Sequence, residues 1–174
     1  MDPFTTLGLP RRYDLDKDEL ERRYRDLQQA LHPDKFSAAS ASERQMNLRK
    51  AVEVNEAYRA LRDDAKRAEL LLAAFGGGGR GEPADPELLM EMMELRETLA
   101  EARAERASDR VAKLADQVRS RESEVRSALV NVFDRLERER APAAISGARD
   151  LVGRLRYYRR FLDEVAAFED EALG

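Results

Sequence analysis

Apolar residues recur along this chain at steps of three and four, and strict alternation is missing, so the pattern predicts helices and no strands. Leu20, Tyr24, Leu27 and Leu31 share one helical face, with Asp16 and Glu19 placed ahead of them as a capping box. Pro33 stops that helix, because it lacks an amide and its ring clashes with the preceding turn. Ser40 and Glu43 form a second capping box, opening a helix whose stripe is Ala51, Val54, Tyr58 and Leu61. A shorter helix follows, with Ala68, Leu71, Leu72 and Phe75 inward. Further on, Asp85 is an N-cap and Pro86 a first helical residue, and that helix should run to about Arg106. Ser108 is expected to cap the next, which turns Val111, Leu114, Val118, Val125, Leu129, Val132 and Leu136 to the core. Pro142 lies in the following break, and Leu151, Leu155, Tyr158, Leu162 and Val165 form the last stripe.

One interruption dominates this pattern. The segment from Gly76 to Pro86 holds five of the nine glycines and reads as a flexible connector. It separates residues 1–75 from a linker, 76–86, and a second domain, 87–174. The expected fold is all-α: an N-terminal helical hairpin with short flanking helices, joined to a C-terminal antiparallel three-helix bundle.

Composition narrows the possible chemistry. With no cysteine and one histidine in 174 residues, a disulfide framework, a thiol nucleophile and a thiolate-bound zinc or iron–sulfur site are excluded. No metal site and no cofactor are expected. A formal net charge of −4 argues against general nucleic-acid binding, which usually shows a basic stripe. No apolar run is long enough to span a bilayer, and the N-terminus lacks a signal-peptide core, so cytoplasmic residence and no membrane association are expected.

The only histidine sits in Leu31-His32-Pro33-Asp34-Lys35-Phe36, where the first long helix must end. His32 and Asp34 are therefore presented on an exposed turn with a rigid proline between them. A carboxylate so placed can pair directionally with a partner's arginine. Arg22 and Arg25 point away from the apolar stripe, although residues 16–32 carry five acidic side chains against four basic ones. A general-base role for His32 would need a nucleophile, second ligand or phosphate loop, and none accompanies it, so no enzyme activity is expected.

His-Pro-Asp after a helix with this spacing resembles the signature of J-domains, which dock on DnaK-class chaperones and stimulate their ATPase. Tyr24 eight residues before the histidine, and Lys35-Phe36 after the turn, belong to the same likeness. It implies that His32, Pro33, Asp34, Arg22, Arg25 and Lys35 face the chaperone.

The helix after the linker carries too many apolar residues for one stripe. At 100° per residue, Leu88, Met92, Leu95 and Leu99 fall within roughly 60° of one another and form the core seam. Leu89, Met90 and Met93 project from the opposite side, interleaved with Glu94, Glu97 and Glu101. Residues 82–105 hold eight acidic and two basic side chains, so this second face is apolar and anionic together. Three of the five methionines lie within residues 90–93, and methionine is over-used where a surface must accept a partner. Tyr157, off the core stripe of the last helix, is expected to extend the same surface.

The same segment resembles the C-terminal bundle of the HscB family, the J-domain co-chaperones of iron–sulfur cluster biogenesis. So do Phe4-Thr5-Thr6-Leu7-Gly8-Leu9-Pro10, Leu27-Gln28, Arg67-Ala68-Glu69-Leu70-Leu71-Leu72 and the phrase from Leu89-Met90-Glu91 to Glu94-Leu95-Arg96-Glu97. The likeness covers nearly the whole chain in the same order. It implies a J-domain that engages a specialised DnaK-class ATPase of the HscA type, and a bundle that holds a cluster scaffold protein of the IscU type. Leu89, Met90, Met93, Glu94, Glu97, Glu101 and Tyr157 are the implied scaffold-binding residues. The chain departs from the family at Asp63-Asp64-Ala65, which stands in place of a proline-containing turn. The alternative is a J-protein that recruits a different client to a general DnaK-class chaperone.

Overall fold

Local capping and apolar stripes place each helix near its expected position. A computed structural model of the chain describes residues 2–77, 86–139 and 142–173. The fold is all-α, with helices α1 (Pro3–Leu7), α2 (Lys17–Ala30), α3 (Ala41–Arg62), α4 (Asp64–Ala74), α5 (Pro86–Ala104), α6 (Ser108–Glu139) and α7 (Pro142–Leu173). A 3₁₀ turn, Pro33–Phe36, stands between α2 and α3. The chain divides into two compact units, Met1–Leu71 and Leu72–Gly174, with the division inside α4, ahead of the residue-75 boundary. Asp85 and most of the glycine connector lie outside the described residues.

In the first unit α2 and α3 form an antiparallel hairpin, and α1 packs on α3. Phe4, Leu7, Leu20, Val54, Ala57, Leu61, Ala68 and Leu71 are its buried apolar core. The Ser40–Glu43 capping box is complete: the Glu43 amide donates to Ser40 Oγ (3.2 Å) and the Ser40 amide to Glu43 Oε2 (2.9 Å). The expected box at Asp16 is only half made. Asp16 accepts from the amides of Asp18 and Glu19, but the Glu19 carboxylate turns to Arg22 and Arg23, whose charge-assisted bonds outcompete a backbone amide.

At the Asp63-Asp64-Ala65 junction Asp63 does what a proline turn would otherwise do. Its Oδ1 accepts from the amides of Ala65 and Lys66, each at 3.0 Å, and so caps α4. Arg67 then lies buried and ties three segments together. It donates to the Tyr13 carbonyl (2.8 Å), the Leu61 carbonyl (2.6 Å) and Asp64 Oδ1 (2.5 Å), with its guanidinium 4.9 Å from the Tyr13 ring centre. α4 ends at Ala74 and is closed off by Gly76, whose φ of 81° lets the Gly77 amide reach back to the Leu72 carbonyl at 2.8 Å.

In the second unit α5, α6 and α7 form the three-helix bundle, with α6 antiparallel to both neighbours. α5 ends at Ala104, earlier than expected, because Arg106 takes a left-handed conformation (φ 54°) and the Ala107 amide closes on the Ala102 carbonyl. Ser108 is the first helical residue of α6 rather than its cap, since the Ala107 carbonyl already accepts from the Val111 amide. Phe133 replaces Val132 in the core, and in α7 Val152 and Phe161 are buried where Leu151 and Leu162 are only half-buried. Along α7 a 3.6-residue period drifts against fixed steps and shifts the inward position by one, whereas α6 buries an arc wider than one stripe, with Ala115, Glu122 and Phe133 beside Leu129 and Leu136.

Candidate functional site: a capped turn and an apolar, acidic helix face

The first candidate surface is the turn after α2. The helix closes with the Leu31 amide on the Leu27 carbonyl (3.0 Å), and His32 leaves the helical region with φ −62° and ψ 133°, as a residue before proline must. His32 is the N-cap of the 3₁₀ turn: its Nδ1 accepts from the Asp34 amide at 3.3 Å. The Lys35 amide donates to the His32 carbonyl at 3.0 Å, and Asp34 Oδ2 lies 3.5 Å from Nδ1. The Asp34 side chain is 90% exposed, so its charge is fully available to a partner. Beside the turn an open groove of about 480 Å³ is lined by Arg25, Gln28, Leu31, His32, Ala51 and Val54.

The helical hairpin behind this turn is stiffened at mid-length. Tyr24 and Tyr58 stack with ring centres 3.9 Å apart and planes within 9°. Tyr24 donates its hydroxyl proton to Asn55 Oδ1 (2.9 Å), and the Tyr58 hydroxyl donates to Glu21 Oε2 (2.5 Å). That bond to Glu21 raises the Tyr58 pKa, and it lowers that of Glu21 with help from Arg25. Arg22 and Arg25 are exposed as expected, yet both are paired within their own helix. Arg22 meets Glu19 (2.5 Å) and Asp26 (3.6 Å), and Arg25 meets Glu21 (3.1 Å). Exposed pairs of this kind hold about 0–1 kcal/mol, so an incoming carboxylate can displace them. Lys35 is exposed beside the turn.

The second surface is the outward side of α5. Leu88, Leu95, Leu99 and Ala102 are buried, while Leu89, Met90 and Met93 are 46%, 65% and 72% exposed. Glu94, Glu97 and Glu101 stand exposed beside them, Glu101 with Arg110 at 3.6 Å. The face therefore combines solvent-exposed, deformable apolar side chains with a carboxylate row, which suits a partner presenting an apolar cleft with a basic rim. Tyr157 is not on this surface. It is buried, its ring near Tyr158 and Phe161 (centres 6.0 and 6.4 Å), and its hydroxyl donates to the Met92 carbonyl at 3.0 Å. α7 runs alongside α5 as well as α6, so its core arc is wider than one stripe and takes in Tyr157.

Beneath the face lies a polar group that periodicity did not single out. Glu91 accepts from the Tyr158 hydroxyl (2.6 Å), from Arg121 of α6 (2.7 Å) and from Arg154 of α7 (3.3 Å). Burial, with Glu91 beside it, pushes the Tyr158 pKa up to about 12. Among the described residues no cluster of three or more His, Cys, Asp or Glu side chains could hold a metal ion, and no helix is long and apolar enough to cross a membrane.

Residues 2–70 match the DnaJ domain family, and residues 84–166 match the HSCB C-terminal oligomerisation domain. The co-chaperone protein HscB homolog of Vibrio parahaemolyticus is 35% identical over 177 residues, with 100% of both chains covered. The chain belongs to the HscB family. The corresponding HscB homolog of Vibrio atlanticus is 33% identical, again over 100% of both chains. The structure of chaperone HscB from Vibrio cholerae superposes with a TM-score of 0.83 at 31% identity, covering 99% of each chain. Human co-chaperone HscB shares the fold, with a TM-score of 0.83 at 24% identity over 97% of this chain and 82% of that one.

Within this HscB-family architecture, the J-domain residues expected at the chaperone face (Arg22, Arg25, His32, Pro33, Asp34 and Lys35) are all exposed in the first unit. Six of the seven residues expected at the scaffold face are exposed on α5, and Tyr157 braces that helix from below. Two ion-paired groups escaped the sequence: the buried Arg67, which entered only through its likeness to the family, and the part-buried Glu91. Glu91 carries a weak signal, as a charge inside an otherwise apolar run with arginines on both following helices.

Proposed function

We propose that this chain carries an iron–sulfur cluster scaffold protein of the IscU type to a DnaK-class chaperone of the HscA type, and stimulates that chaperone's ATPase through the His32-Pro33-Asp34 turn. The chain itself performs no covalent chemistry; the nucleotide is hydrolysed by the partner. In this reading Asp34 pairs with a chaperone arginine while Arg25, Arg22 and Lys35 flank the contact. The scaffold docks on Leu89, Met90, Met93, Glu94, Glu97 and Glu101, and Tyr157 holds α5 in place behind them. The cytoplasm is the compartment in which both partners would be met.

The observation that carries the proposal is the pairing, in one chain of the HscB family, of a rigid exposed His-Pro-Asp turn with an exposed apolar and acidic helix face. The turn alone would fit any J-protein; the second face supplies the client. Steady-state ATPase rates of the HscA-type chaperone, measured with this chain and the scaffold separately and together, test it. Synergistic stimulation that vanishes in His32→Gln is the expected result. Stimulation without any scaffold effect would leave a J-protein serving another client, and no stimulation of any DnaK-class ATPase would overturn the proposal.

A further inference from the structure

The first two turns of α5 pose a problem that hydrophobicity does not solve. Between Pro86 and Met93 the apolar residues Leu88, Leu89, Met90, Met92 and Met93 spread over about 200° of the helix, with only Glu87 and Glu91 charged. Counting about 100° per residue from Leu88, Met92 lies near 40°, Leu89 near 100°, Met93 near 140° and Met90 near 200°. Burying Leu88 with Met92, or Leu89 with Met93, removes comparable apolar area from water, so area alone does not choose which side faces the bundle. The second half of α5 is one-sided, with Leu95, Leu99 and Ala102 buried, and it favours the same side as Leu88 and Met92, so the first two turns can turn against it only by breaking the helical hydrogen bonds that join them.

The polar groups hold the first two turns to that side. Glu91 lies near −60° on the same count, at the edge of the buried side, where three donors from two other helices converge on its carboxylate. Tyr158 and Arg154 reach it from α7 and Arg121 from α6, at 2.6, 3.3 and 2.7 Å. Tyr157 takes the Met92 carbonyl at 3.0 Å on the other side of the contact. Turning the first two turns to bury Leu89 and Met93 would pull Glu91 away from all three donors and strand the Tyr158 hydroxyl in the core.

We infer that Glu91 is a positioning residue for the docking face: its clamp on Tyr158, Arg121 and Arg154 fixes the rotation of α5, and so keeps Leu89, Met90 and Met93 turned outward. The link to docking rests on the proposed function; the rotational lock does not.

The methionines themselves report on it. With methyl-labelled methionine, Met90, Met92 and Met93 sample both sides of α5, and exposed Met46 in the first unit serves as an internal reference. A soluble paramagnetic agent broadens exposed methyls and spares buried ones. In the intact chain, Met90 and Met93 should broaden strongly and Met92 weakly. In Glu91→Gln and Glu91→Ala, the inference requires opposite movements: Met92 gains broadening while Met93 and Met90 lose it, with Met46 unchanged. Scaffold Kd should rise about tenfold, as for loss of one well-ordered anchor. A rise at all three α5 methyls would mean fraying rather than rotation, and unchanged methyls would mean no lock; either overturns the inference. Opposite methyl movements in a chain whose wild type shows no scaffold binding would leave the lock standing and remove the proposed function instead.

Discussion

Replacing Leu89 and Met93 together by alanine separates docking from folding on this protein. Both side chains lie on the outward face of α5, Leu89 46% and Met93 72% exposed. Full burial of such a side chain is worth about 1.5–3 kcal/mol, so the exposed fractions that a partner would cover amount to roughly 1 kcal/mol for Leu89 and 1–2 for Met93. Removing both should weaken scaffold binding by about 2 kcal/mol, close to thirty-fold in Kd. The folded chain loses little by comparison, because the buried seam of Leu88, Leu95, Leu99 and Ala102 is untouched and alanine is the strongest helix former. Calorimetric titration with the scaffold gives the Kd, and thermal unfolding followed by circular dichroism gives the stability. ATPase stimulation by the variant without scaffold should match wild type, since the His-Pro-Asp turn lies in the other unit. A Kd within twofold of wild type would refute the assignment of this face. So would a fall in unfolding temperature large enough to account for the lost binding.

Other outcomes follow from the buried polar groups. Arg67→Met leaves Asp64 and two backbone carbonyls buried without their donor, and should destabilise the first unit by about 3–5 kcal/mol; the imidazole resonances of His32, the one histidine, report on urea unfolding of that unit alone. Tyr158 favours the fold while its hydroxyl is neutral, so its contribution is complete below pH 10 and drains away up to about pH 12. At 1.36 kcal/mol per unit that is at most about 3 kcal/mol, and Tyr158→Phe should remove this part of the alkaline loss when stability is measured from pH 8 to 12.

How much of this was legible depended on whether a residue's environment is local. The capping box at Ser40, the helix stop at Pro33 and the exposed side of α5 follow from spacing and backbone chemistry within a few residues, and the structure places them as expected. The half-made box at Asp16 failed because Glu19 had nearby arginines to choose from, a competition that motif spacing does not weigh. Val132 gave way to Phe133 because α6 packs on both α5 and α7 and buries a wider arc than one stripe. Tyr157 was placed on the surface from its offset against one stripe, but α7 packs on two helices and buries a wider arc. Arg67 and Glu91 depend on partners far away in the chain, Tyr13 for the one and Tyr158, Arg121 and Arg154 for the other, and a single sequence does not show those meetings.

The two surfaces are built by different means, and the difference fits different tasks. The turn is held by its own backbone: Pro33 removes rotational freedom and His32 caps the turn, so Asp34 arrives already oriented although almost wholly in water. Little ordering entropy is then lost on contact, and exposed charges engage and release quickly. The α5 face is held from behind, by Glu91 and Tyr157, and its contact atoms are flexible methionines that adapt to a partner's shape. Apolar burial on such a face lengthens residence, while its carboxylates steer encounter with a basic rim. On the proposed function, brief contact through the turn and lasting contact through the helix is the combination that a client carrier requires, since the client must stay bound until the chaperone is met.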